Sequence, residues 1–118
     1  MARSRYKFKD NQYPYFMTCT ILHWLPVFSS PHIANIVIDS LRFLQQENVK
    51  IYAWVMLENH IHLIAQSENI SKDIARFKAF TATKIITYLT ERNAKTILDQ
   101  LKYYKKSYKG EDRKIQLW

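Results

Sequence analysis

The chain has 118 residues, 47% of them hydrophobic and 14% aromatic, with a formal net charge of +8. That supports one packed domain rather than two, and argues against a disordered chain. A single glycine argues against a glycine-rich phosphate loop or a doubly wound nucleotide fold, and the single cysteine, Cys19, has no partner for an internal disulfide or a zinc site.

The chain opens on a basic stretch, "RSRYKFK", from Arg3 to Lys9. "YFMTCTIL", Tyr15 to Leu22, follows Pro14 and is rich in aromatic and β-branched residues, which predicts a strand. Its alternation separates Tyr15, Met17, Cys19 and Ile21 from Phe16, Thr18, Thr20 and Leu22. "HWLPVFSSP" reads as a loop. Ser30 and Pro31 then start a helix, as a capping side chain followed by proline at the first helical position. Ile33, Ile36, Val37, Leu41 and Leu44 form its apolar stripe, which runs to about Glu47.

Lys50 to Leu57 predicts a second strand and His60 to Gln66 a third, with only Glu58 and Asn59 between them, the pattern of a tight antiparallel hairpin. Ser71 is the expected cap of a second helix that buries Ile74, Phe77, Thr81, Ile85 and Leu89. Asn93 is the expected cap of a third, with Ile97, Leu98 and Leu101 inward. A basic, tyrosine-rich segment, "KYYKKSYKGEDRK", runs from Lys102 to Lys114, and the chain stops at Leu117-Trp118.

These elements predict one α+β domain over residues 1–118: a ferredoxin-like sandwich whose antiparallel sheet carries helices on one face and lacks its fourth strand. The edge of the first strand is then expected to be covered by residues Ile115 to Trp118 or by a second copy in a homodimer. No apolar run reaches membrane-spanning length, so a cytoplasmic protein without a membrane partner is expected.

Alternation along the third strand puts His60, His62, Ile64 and Gln66 on one face and Ile61, Leu63 and Ala65 on the other. The all-apolar set belongs under the helices. The imidazoles therefore lie on the open face, where two neutral rings can ligate one divalent metal or can simply be half-exposed polar residues. Glu58 precedes them in the turn, and His23 and His32 read as exposed or capping side chains. The positive charge suits a polyanion. Cations interleaved with aromatic rings suit single-stranded nucleic acid. Arg3, Arg5, Lys7, Arg76, Lys78 and Lys84 are the candidate phosphate contacts.

The segment "WVMLENHIHLI" resembles the HUH signature of single-tyrosine transposases. "LPVFSSP", "IARFKAFTATKII" and the terminal "LW" resemble, in that order, segments of the REP-associated tyrosine transposases; the resemblance covers nearly the whole chain, although the family usually has proline where Glu58 stands. It implies the ferredoxin-like fold, binding of single-stranded or hairpin DNA, and Mg2+ or Mn2+ held by His60 and His62. It further implies a metal-polarised phosphate attacked by a tyrosine hydroxyl, leaving a phosphotyrosine link and a free 3′-OH, so that the strand can be rejoined. In the family that tyrosine lies on a helix after the "LW" segment. None of Tyr6, Tyr13, Tyr15, Tyr52, Tyr88, Tyr103, Tyr104 and Tyr108 matches it, so the chain is expected to be truncated before the catalytic tyrosine. Two other readings share these residues: a non-catalytic single-stranded nucleic-acid binding module with Tyr52 and Trp54 as stacking platforms, and a relaxase or replication-initiator relative.

Overall fold

The structure, a computed structural model, describes residues 13–105 and 115–118. In chain order it contains strand β1 (Tyr15–Thr20), helix α1 (Pro31–Gln46), strands β2 (Lys50–Met56) and β3 (His60–Gln66), and helices α2 (Ile70–Glu91) and α3 (Lys95–Tyr103). Two short 3-10 turns, Leu22–Trp24 and Val27–Ser29, occupy the loop between β1 and α1. The first of them ends the strand earlier than Leu22.

Among the described residues the sheet has three strands in the order β1-β3-β2, with β3 antiparallel to both neighbours. β1 and β2 are thus parallel to each other, joined through α1, with β3 inserted between them. This is the split strand–helix–strand arrangement of a ferredoxin-like sandwich. The alternation along β3 is realised fully. Ile61 and Leu63 are 0% and 1% exposed in the core, while His60, His62, Ile64 and Gln66 are half-buried on the other face. Burying an isoleucine or leucine this completely contributes about 1.5–3 kcal/mol, so a one-residue slip of β3 would forfeit several such terms.

The helices cover the core face through the stripes expected of them. Ile33, Val37, Leu41 and Leu44 of α1 are buried, as are Ile74, Phe77, Thr81, Ile85 and Leu89 of α2. Ser30 caps α1 by accepting a hydrogen bond from the Ile33 amide at 3.4 Å, ahead of Pro31.

Two caps differ from expectation. Asn69, not Ser71, caps α2: its Oδ1 accepts from the Lys72 amide at 3.2 Å, so the helix begins at Ile70 with Ser71 already in its first turn. Asn93 does not cap α3, whose N-cap is Ala94. It instead takes a left-handed backbone, φ 59°, just past the end of α2, a conformation asparagine tolerates better than most residues.

The Glu58–Asn59 turn closes as expected, with the Leu57 amide donating to the His60 carbonyl at 2.8 Å. The turn is also tied to the β1–α1 loop. The Ile21 and Phe28 amides donate to the carbonyls of Asn59 and Glu58, each at 2.9 Å. Residues 115–118 return to the same neighbourhood. Leu117 is 1% exposed, and its carbonyl accepts from the Leu22 amide at 2.8 Å. The Trp118 indole N–H donates to Thr81 Oγ1 at 3.0 Å, and its ring lies near Phe28 and Phe77. The tail therefore makes its backbone contact just beyond the end of β1. No helix among the described residues is long and apolar enough to cross a membrane.

Candidate functional site

The open face of the sheet is built from the second half of each strand's alternation. Register places Thr20 opposite His60, Thr18 opposite His62 and Phe16 opposite Ile64 on β1, with Val55 and Ala53 opposite His62 and Ile64 on β2. His60 and His62 share this face as expected, with ring centroids 4.7 Å apart and planes at 80°.

Each ring is held through its Nδ1. The Asn59 side-chain oxygen lies 2.6 Å from His60 Nδ1, and Thr18 Oγ1 lies 3.0 Å from His62 Nδ1. The Asn59 amide nitrogen donates to the Trp24 carbonyl at 3.3 Å, which turns its oxygen, an acceptor only, toward His60. Neutral His60 therefore carries its proton on Nδ1 and keeps a lone pair on Nε2. Thr18 can accept from His62 in the same way. A ring whose Nδ1–H is held by an oxygen and whose Nε2 is unprotonated is the arrangement that metal-ligating histidines use. Among the described residues, no group of three or more His, Cys, Asp or Glu side chains comes together. Glu58 stands exposed in the turn.

Aromatic rings flank the pair. Phe16 stacks on His62 at 5.4 Å and 23°, and Trp24 meets His60 edge-on at 5.6 Å and 65°. Neither Phe16 nor Trp24 stands out as a stacking ring in the sequence, where Tyr52 and Trp54 serve that role only under the non-catalytic alternative. Those two lie on opposite faces of β2. A bulge between Ile51 and Ala53 breaks the alternation, so Trp54 pairs with core-facing Leu63 while the Tyr52 hydroxyl donates to Gln66 Oε1 on the open face at 2.9 Å.

The candidate phosphate contacts divide. Arg3, Arg5 and Lys7 lie outside the described residues. Arg76, Lys78 and Lys84 are on α2, across the sheet from the imidazoles. Arg76 is paired with Glu47 at 3.3 Å and Asp73 at 3.4 Å, and the Lys84 ammonium sits 5.6 Å from the Phe80 ring centre. Lys78 is half-buried and close enough to β1 to act on Cys19. Burial pushes the Cys19 thiol up, and the Lys78 charge opposes this in part, so the cysteine is a core residue rather than a nucleophile.

His23 and His32 are exposed, as expected. They stack on Tyr104 at 3.6 Å and on Tyr88 at 4.1 Å respectively. No family model matches the chain, and no curated protein matches it.

Proposed function

We propose that residues 1–118 are the metal- and DNA-binding core of a single-tyrosine HUH-type transposase, closest to the REP-associated group. In this reading the open sheet face brings a single-stranded or hairpin DNA to a divalent cation. The observation that carries it is the pair of oxygens, Asn59 Oδ1 and Thr18 Oγ1, behind two imidazoles on one face. A pair of merely solvated histidines needs no such support.

His60 and His62 would hold magnesium or manganese through Nε2, with water completing the shell, so affinity is weak. When bound, the ion supplies Lewis-acid polarisation of a phosphate oxygen. The chain's own residues fix the tautomer, orient the rings and present an aromatic surface beside them. None of the chain's own tyrosines matches the position of the nucleophile in the family it resembles, so the reading assigns metal and DNA binding, and no attacking hydroxyl, to these residues. Two of the tyrosines have contacts of their own: Tyr104 stacks on His23 beside the β1–α1 loop, and the Tyr52 hydroxyl donates to Gln66 Oε1 at the far end of β3.

Calorimetric titration with Mn2+ tests the reading. The wild-type chain binds one ion weakly, and a His60→Ala, His62→Ala double variant does not. Equal binding by the two proteins overturns it.

A further inference from the structure

We infer that Trp24 is a stacking platform for an unpaired nucleobase, held beside the histidine pair by a strained turn. The inference rests on the DNA-binding reading above and adds to it the place where a base of the strand sits.

Trp24 is 64% exposed, among the most exposed of the large hydrophobic side chains in the described chain. It also has a left-handed backbone, φ 57°, directly after His23 at φ 54°. Two consecutive residues in this region, neither of them glycine nor asparagine and one a tryptophan, form a sterically unfavourable turn. Packing of the Trp24 ring itself does not account for it, because that ring is outside the core. The neighbours enforce it instead. Leu22 and Leu25 are buried on either side, the Trp24 amide donates to the Ile21 carbonyl at 2.9 Å, and Asn59 donates to the Trp24 carbonyl at 3.3 Å. The outcome is a largely exposed indole whose plane meets that of His60 at 65°. Strain of this kind, kept where it exposes a large ring, points to a binding role.

Phe16, 60% exposed, closes the other end of the row, stacked on His62. The four rings run Phe16, His62, His60, Trp24, with the candidate metal ligands in the middle. A base on Trp24 would then neighbour a phosphate at the histidines. The net charge of +8 favours a polyanion over an apolar or basic protein segment. A duplex hides its base faces, whereas a single strand offers them, and stacking accepts any base.

The test uses the full chain and a short thymidine homopolymer, read by tryptophan quenching and by affinity. Trp24→Asn removes the ring but suits the left-handed backbone, so the variant folds. Trp54→Phe removes the emission of the tryptophan on the core-facing side of β2. Trp24→Asn is expected to lose affinity about tenfold, which is about 1.4 kcal/mol, and to lose the quenching. Its thermal midpoint stays level or rises. Trp24→Phe retains most of the binding, and Trp54→Phe retains both binding and quenching.

Homopolymer binding by Trp24→Asn equal to wild type overturns the inference while the DNA-binding reading stands. So does a fall in stability that matches the fall in affinity. Failure of the wild-type chain to bind the homopolymer at all overturns both.

Discussion

Asn59 and His60 are sequence neighbours, and their side chains meet at the hairpin turn at 2.6 Å. Thr18 reaches His62 from another strand, 44 residues away in the chain. Outer partners of this kind set ligand orientation and basicity, and their loss typically costs about 10- to 100-fold in metal affinity. Asn59→Ala and Thr18→Val are each expected to weaken Mn2+ binding within that range while leaving the fold intact, as judged by titration beside thermal melts. Asn59→Asp, which keeps an acceptor toward the ring, retains more affinity than Asn59→Ala. The histidine pair was legible in the sequence because strand alternation has a period of two and the opposite set, Ile61, Leu63 and Ala65, is wholly apolar. Thr18 was not, because a cross-strand partner depends on register. The left-handed turn at His23 and Trp24 was not legible either, because neither glycine nor asparagine marks it.

The helices and strands were legible wherever periodicity carries the signal. The α2 stripe is the one expected, down to Thr81, whose hydroxyl donates to the Phe77 carbonyl at 2.8 Å. Element ends were less legible, since several polar residues compete for each cap. Asn69 and Ser71 are both capable, and the contact from Asn69 Oδ1 to the Lys72 amide decides between them. Asn69→Ala is therefore expected to destabilise the protein by about 1 kcal/mol in urea unfolding, and Ser71→Ala by less than about half that. The reverse ranking would restore the later helix start. The β2 bulge was also invisible in the sequence. It separates Tyr52 from Trp54, and with them the stacking surface that simple alternation would have assembled.

At the scale of the whole molecule, residues 115–118 join elements far apart in the chain. Leu117 is buried against the start of the β1–α1 loop, and Trp118 bridges to Thr81 on α2. Leu117→Ala is expected to cost about 2–5 kcal/mol, as for a core leucine, measured by chemical denaturation. A cost near zero would mean that the tail is not docked. Among the described residues one sheet face carries no helix, and both imidazoles, their oxygen partners and the flanking rings gather there. A separate concavity at the other end of β3 from His60 is lined by Glu47, Glu68 and Asp73 together with Lys50, Lys72 and Arg76, and Arg76 pairs with both Glu47 and Asp73, so these carboxylates do not gather into a rival cation site. Paramagnetic broadening by Mn2+ in an amide-resolved NMR titration bears most directly on the proposed metal site. The account predicts that broadening centres on Thr18, Asn59, His60 and His62, and disappears in the double histidine variant. Broadening centred on Glu47, Glu68 and Asp73, or unchanged in that variant, would contradict it.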